Sequence, residues 1–384
     1  MPVASRFQPF GTTVFSEMTQ LAVKHQAVNL SQGFPDFDGP AFVRDAAIEA
    51  IRAGHNQYAR MFGIPPLNDA IAARWNRLTG QNVDPNTQIQ VTAGCTQAIP
   101  SVCLGLLNPG DEVIVFEPYY DSYRPCLAMA DAVPRFVPLR WPDYSFDRDE
   151  VANSITDRTR AILINTPHNP TGKVYTRDEL EFLADVCIRH DLLAITDEVY
   201  ENLVFDGEHI RMATLPGMAD RTITLSSLGK SFSLTGWKIG WVIASPDVIQ
   251  GVRAAHQFLT FAVATPLQHG AVAALTAPET YYEEFVSQYR GKRDFLCEAL
   301  EAIGFSVARP AGTYFILADH TPFGFDDDVA FCRHLVEEIG VAAIPPSAFY
   351  EHKEHGRSLV RFAFCKTDET LQHAVERLSA LRPA

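Results

Sequence analysis

The chain has 384 residues, is 47% apolar, and carries a formal charge of −14 with no basic run. That is enough apolar chain for one large domain and a smaller one, and too acidic for nucleic acid or an anionic membrane, both of which need a cationic face. No apolar run reaches bilayer length and the N-terminus lacks a secretory-signal profile, while seven scattered cysteines without a C-x-x-C pair fit reduced core thiols, so a cytoplasmic protein without zinc or disulfides is expected.

Residues 1 to about 40 show little periodicity and include the turn-rich segment 29–40, NLSQGFPDFDGP, which reads as a loop lying over something. Val43, Ala46, Ala47, Ala50 and Ile51 then fall at helical spacing up to Gly54, and QYARMFGIPPL follows as an exposed loop holding Tyr58 and Phe62. From Gln88 the pattern becomes strand, helix, strand. QIQVT is followed by a helix opening after Ala93, Gly94, Cys95 and Thr96, then by EVIVF at 112–116 and RFVPL at 135–139. AILIN at 161–165 continues the series; its helix begins at Thr176, where Thr176 and Glu179 form a capping box, and Leu180, Leu183, Ala184, Cys187 and Ile188 make one apolar stripe. LLAIT at 192–196 runs into Asp197, and a further helix and loop are expected before TITLSS and Lys230. This alternation predicts an α/β fold with a mostly parallel sheet flanked by helices. Past about residue 280, a long polar helix, the short strands TYFILAD and LVRFAF, and a closing helix from Asp368 read as a smaller α+β domain.

Candidate chemistry collects at the carboxyl ends of these strands, where open α/β sheets bind ligands. Lys230 lies among small residues in SSLGKSF, a setting that desolvates a lysine and lets its neutral amine attack a carbonyl. Ser227, three residues before it, and Lys238, eight after, offer a hydroxyl and a cation to a phosphate, so the stretch suits pyridoxal phosphate, which has both an aldehyde and a phosphate. Taken alone, the same spacing fits a solvated loop lysine. Asp197, ending an apolar strand, either caps the next helix or faces a pyridine nitrogen and keeps it protonated; Tyr200, three residues on, would reach the ring's phenolate oxygen. Asn169, in the rigid NTPHNPTG loop, is both a turn former and an amide placed for that oxygen, and His168 beside it is read as loop structure. Gly94, Cys95 and Thr96 open a helix whose free N–H groups would form a phosphate cup with Ser227 and Lys238. Tyr120 in EPYYDSY is placed to stack on a flat ring, with Tyr119 as its rival. Arg361 faces away from Val360 and Phe362, and serves either a structural salt bridge or a substrate carboxylate held by two parallel hydrogen bonds.

Together QGFPDFDGP, QYARMFG, VTAGCTQAI, FEPYYDSY, NTPHNPTG, TDEVYENLVF, SSLGKSFSLTGWKIGW, PAGTYF, VAAIPPSAFY and VRFAFCK resemble the fold type I pyridoxal-phosphate aminotransferases of class I/II. The resemblance spans nearly the whole chain and is strongest to the methionine, kynurenine (glutamine) and N-succinyldiaminopimelate group. It implies a large cofactor-binding domain (residues 41–280), a small domain (281–384), and an N-terminal arm (1–40) that joins the small one. It implies Lys230 as the Schiff-base lysine and proton shuttle, Asp197 at the pyridine nitrogen, and Asn169 and Tyr200 at the ring oxygen. Cys95, Thr96, Ser227 and Lys238 would hold the phosphate, Tyr120 would stack on the ring, Arg361 would take the substrate carboxylate, and Gly33 and Phe34 would line the substrate side. Tyr58 would reach the phosphate of a neighbouring subunit and residues 256–261, HQFLTF, would face it, so a homodimer with shared sites is implied, without a metal. Cys95 stands where the family usually has Ala, Gly or Ser, and Ser31 where glycine is frequent.

The expected reaction moves an amino group from an L-amino acid to a 2-oxo acid. The donor is expected to be methionine, glutamine or an aromatic such as kynurenine, because the segments lining the side-chain pocket are rich in Phe and Tyr. Arg60 and Arg253 lie near those segments and would serve a second carboxylate, which keeps N-succinyldiaminopimelate as an alternative donor; a cysteine-conjugate β-lyase on the same scaffold is another.

Overall fold

Runs of β-branched and leucine residues bounded by Gly, Pro and Asp mark the strands of the computed structural model, which describes residues 3–11 and 14–384. Residues 1, 2, 12 and 13 of the expected arm lie outside them. The strands are β1 (Val28–Asn29), β2 (Ile89–Thr92), β3 (Glu112–Glu117), β4 (Val133–Pro138), β5 (Thr159–Asn165), β6 (Leu193–Asp197), β7 (Thr222–Ser227), β8 (Gly240–Ile243), β9 (Ser306–Ala308), β10 (Phe315–Asp319), β11 (Val341–Ala342) and β12 (Leu359–Ala363).

One seven-stranded sheet has the order β2-β8-β7-β6-β5-β3-β4. β4, β3, β5, β6 and β7 are parallel, and β8 runs antiparallel to both of its neighbours. Helices cover both faces, so the inner strands are apolar on both sides. Val113, Val115 and Leu163 enter one core with the helix Cys95–Leu106, whereas Ile114, Phe116, Ile162 and Ile164 enter another with Leu180 and Leu183 of the helix Arg177–Arg189. That second helix carries the expected capping box: the Glu179 N–H donates to the Thr176 hydroxyl at 3.2 Å, and the Glu179 carboxylate accepts the Thr176 N–H at 2.8 Å. Its stripe is buried except for Ile188, which stays exposed.

β9, β10 and β12 form a second, antiparallel sheet beside the long helix Glu279–Ile303 and the closing helix Asp368–Leu378. β1 pairs in parallel with β11, and Leu30 then accepts the Ala363 N–H at 2.8 Å, which ties the N-terminal segment to the C-terminal sheet.

Three local expectations need correction. The first forty residues contain a helix, Val14–His25, that buries Met18 and Ala22. The segment read as the exposed loop QYARMFGIPPL buries Ala59 and Ile64, and its two prolines start the helix Pro65–Thr79, where a missing N–H is harmless. Among the described residues no α-helix lies between Asp197 and β7: the Glu198 N–H is taken by the Leu225 carbonyl at 2.8 Å, and the chain then bridges at Val204 to Gly312. In addition, GWVI after Lys230, to which the sequence pattern assigns no element, is the antiparallel strand β8, too short at four residues to show a period.

Candidate active site

Strand register brings the chemistry together. β5 and β6 place Asn165 beside Asp197, while Thr92, Gly240 and Ser227 fall abreast across β2, β8 and β7. Gly240 has to be glycine, since a Cβ there would sit 2.8 Å from the Gly94 carbonyl carbon and 2.9 Å from Ser226 O. Gly94 in turn adopts φ +69° and opens the helix Cys95–Leu106 without a side-chain cap, leaving its first N–H groups available for an anion. Lys238, held at φ +54°, donates from Nζ to the Thr96 hydroxyl at 3.1 Å, so a cation stands beside that helix start.

These elements enclose a cleft of about 680 Å³, mouth included, lined by Gly94, Cys95, Thr96, Tyr120, Asn165, Asn169, Asp197, Val199, Tyr200, Ser227, Gly229, Lys230, Thr235, Lys238 and Ile239. Lys230 follows β7 in a one-turn helix, Leu228–Ser231, and its Nζ donates to the Tyr314 hydroxyl at 3.0 Å. Burial lowers its pKa to about 8. Asp197 accepts the Tyr123 hydroxyl at 2.8 Å and the Val199 N–H at 3.3 Å, and burial pushes its carboxyl up to about 6 against the lowering effect of those bonds. Tyr200 is buried, edge-on to Tyr314 at 5.2 Å, and its phenol is raised far above the ordinary range by burial. A poised amine, a buried carboxylate and a helix start with a cation therefore face one cavity.

Arg361 is 1% exposed and lies 4.2 Å over the Phe315 ring. It donates to Ser31 O at 2.9 Å and to Asn169 Oδ1 at 3.4 Å, yet no carboxylate pairs with it among the described residues and its Nε has no partner. Burial brings its pKa down to about 10, with Asp121 opposing through its charge. A buried guanidinium left without an anion is suited to receive one from outside.

The remaining candidates divide. Gly33 O lies 3.5 Å from Lys230 Nζ and so stands beside the cleft, whereas Phe34 is exposed, accepts Lys366 through its carbonyl and does not line the cleft. Tyr58 is 85% exposed, outside the cleft, and meets Phe261 edge-on at 5.3 Å. Tyr119 stacks on Phe136 away from the cleft that Tyr120 lines. His168 bonds Thr171, and burial drives its pKa down to about 3, which makes it neutral loop structure. The Cys95 thiol donates to Ser226 O at 3.1 Å. Arg60 and Arg253 do not line the cleft: both lie over the Phe62 ring, at 3.8 and 4.1 Å, and hydrogen-bond around Asn86. Asn165, Tyr123 and Tyr314 were missed. Asn165 Nδ2 donates to Asp197 O at 2.8 Å and its Oδ1 accepts the Asn169 N–H at 2.7 Å, so it ties two strand ends together.

A mostly parallel sheet with an amine, a carboxylate and an uncapped helix start at its carboxyl edge has the arrangement of an α/β enzyme. The family model "Aminotransferase class I and II" matches residues 25–378, and the chain belongs to that family, whose members depend on pyridoxal phosphate. It is 47% identical to the probable N-succinyldiaminopimelate aminotransferase of Mycobacterium tuberculosis, over 99% of each chain. It is 40% identical to the methionine aminotransferase of Escherichia coli over 98% of each. The solved N-succinyldiaminopimelate aminotransferase from M. tuberculosis superposes with a TM-score of 0.96, covering 99% of this chain and 100% of that one. The protein is thus a fold type I aminotransferase.

Proposed function

We propose that the cleft holds pyridoxal phosphate and moves amino groups from methionine, glutamine or aromatic amino acids such as kynurenine to 2-oxo acids. The observation that carries this reading is the pairing of a lysine lowered to about 8 with a carboxyl raised to about 6 in one cavity, above an uncapped helix start. When bound, pyridoxal phosphate supplies an aldehyde that captures amines and a ring that draws electrons from the donor's α-carbon. The chain supplies the rest. Thr96, Ser227, Lys238 and the Cys95 N–H would hold the phosphate, and Tyr120 would pack against the ring. Asp197, positioned by Tyr123, would keep a proton on the ring nitrogen, and Asn169 and Tyr200 would hold the ring oxygen. Arg361 orients the substrate carboxylate beside Gly33 and Phe34. Lys230, whose pKa burial lowers to about 8, reaches its neutral form far more readily than a free lysine and would serve as the base at the donor's α-carbon and as the carrier of that proton.

Residues 41–280 form the large domain in this reading, with 281–384 and the arm 1–40 forming the small one; the pairing of β1 with β11 supports that grouping. A homodimer completes the site through Tyr58 and residues 256–261, supported by the exposure of Tyr58, Phe258 and Phe261. A cytoplasmic location fits the seven cysteines, all buried and unbridged. The engagement of Arg60 and Arg253 with Phe62 and Asn86 favours a donor with one carboxylate. Similarity to the 47% identical relative favours N-succinyldiaminopimelate as the second reading. Purified protein decides between them through kcat/KM for methionine, kynurenine, aspartate and N-succinyldiaminopimelate: a leading value for either of the last two overturns the first reading. Borohydride trapping of the cofactor elsewhere than on Lys230 overturns the site assignment.

A further inference from the structure

Tyr314 is completely buried, and its hydroxyl lies 2.6 Å from Gly33 O and 3.0 Å from Lys230 Nζ. A carbonyl cannot donate, so the single phenolic hydrogen belongs to the Gly33 bond, and the lysine must be the donor in the other. Burial raises the phenol far beyond its ordinary range, which keeps that hydrogen in place. The ring is fixed by Tyr200 at 5.2 Å, Phe315 at 4.9 Å and Tyr289 at 6.1 Å. Thr313, just before it, is held at φ +64°, a region that β-branched residues avoid, and its N–H bonds Leu203 O at 2.9 Å. On the other side a Cβ on Gly33 would come within 2.7 Å of Phe315 Cζ, so the carbonyl approaches this closely because residue 33 is glycine.

We infer that Tyr314 is a positioning residue for Lys230: it accepts one N–H of the free amine and leaves the nitrogen lone pair unbonded and turned away from the phenol. A hydroxyl free to rotate would donate into that lone pair and quench it. The Gly33 carbonyl prevents this by holding the phenolic proton. The same loop offers Ser31 O to Arg361, so one stretch of backbone fixes both the amine and the carboxylate clamp. This inference rests on the assignment of Lys230 proposed above. The titratable groups facing Lys230 are Asp197 at the end of β6, Cys95 at the helix start, Lys238 before β8 and Cys365 after β12, with the phenols of Tyr200 and Tyr314. Tyr314→Phe alters none of the charges among them.

The test compares wild type and Tyr314→Phe. In the cofactor-free chain, reductive methylation of Lys230 should titrate near pH 8 in wild type. Removing an acceptor that favours the ammonium form should lower this midpoint by about one unit. In the loaded enzyme kcat should fall by about ten- to a hundredfold, with KM changed by less than about threefold. An unmoved midpoint, or a kcat within about twofold of wild type, overturns the role of Tyr314. Turnover retained by Lys230→Met overturns instead the Lys230 assignment beneath it. Should Tyr314→Phe not fold, wild-type chain labelled at tyrosine Cζ gives a second measurement. One resonance should follow the Lys230 titration and lose that response in Lys230→Met; if none does, the proposal fails.

Discussion

Asp197 and Lys230 both carry charge unwillingly in the folded chain, each because burial disfavours its ionised form. Asp197 titrates at about 6 in the fold, above its ordinary 3.8, so ionisation is harder there than in the unfolded chain. Below about pH 4 neither state is charged, and as pH rises from there to about 6 the fold loses stability through this group. Lys230, lowered from 10.5 to about 8, acts from the other side: its contribution falls as pH drops through that interval. Asp197→Asn should therefore stabilise the cofactor-free protein near pH 7 by roughly 1–3 kcal/mol, with the gain vanishing below about pH 4. Its turnover should drop by several orders of magnitude, because an amide cannot keep the ring nitrogen protonated. Urea unfolding at both pH values checks the first part, and equal stability at neutral pH would mean that the Tyr123 and Val199 bonds outweigh burial. Arg361→Lys should lower kcat/KM by about a hundredfold, mostly through KM, because an ammonium cannot present two parallel donors. Steady-state kinetics with the amino donor varied would show it, and an unchanged KM would return Arg361 to a structural role. At this scale the sequence was informative where an unusual residue broke an apolar context, as with Lys230 and Asp197. Asn165, Tyr123 and Tyr314 gave no such contrast; they matter through strand register and approaches between segments distant in sequence.

Among elements, the junction of β2, β7 and β8 with the helix Cys95–Leu106 is the most exacting. Gly240→Ala would push a methyl group into backbone on two sides, and backbone cannot swing aside as a side-chain tip can. We expect about 1–3 kcal/mol of destabilisation and at least about a tenfold weaker grip on the cofactor, since the helix start is displaced. Gly236→Ala, with nothing within 4 Å of the added carbon, should match wild type in a fluorescence titration with pyridoxal phosphate. A Gly240→Ala protein that binds equally well would disconnect this contact from the cup. The parallel strands and the capped helix Arg177–Arg189 were legible because their runs are long or their boundaries chemically marked. The helix Val14–His25 was not, although Val14, Phe15, Met18, Leu21 and Ala22 do share a face, because the segment before it looks like loop. The absent helix after Asp197 is a tertiary effect: contacts with Leu225 and Gly312 claim a stretch that local propensity leaves open.

For the whole molecule, the exposed aromatic cluster of Tyr58, Phe258 and Phe261 predicts a dimer. Sedimentation should give about twice the 42.6 kDa chain mass, and mixed, refolded Lys230→Ala and Tyr58→Phe subunits should recover part of the activity that each lacks. A fully active monomer would rule this out. The second, antiparallel sheet could be anticipated from the change of texture near residue 280, but the helix–strand order does not reveal which partner the first forty residues choose. Their choice of β11 and β12 carries a consequence for biosynthesis. Residues 28–30 emerge early from the ribosome, yet the strands that receive them, at 341–342 and 359–363, are among the last to be made. Until then Leu30 and the loop bearing Gly33 have no place to bind, so the nascent chain leaves the Lys230 side of the cleft unfinished until translation is nearly complete. Ribosome-stalled chains released before residue 341 should accordingly display this segment to added protease, and longer ones should protect it.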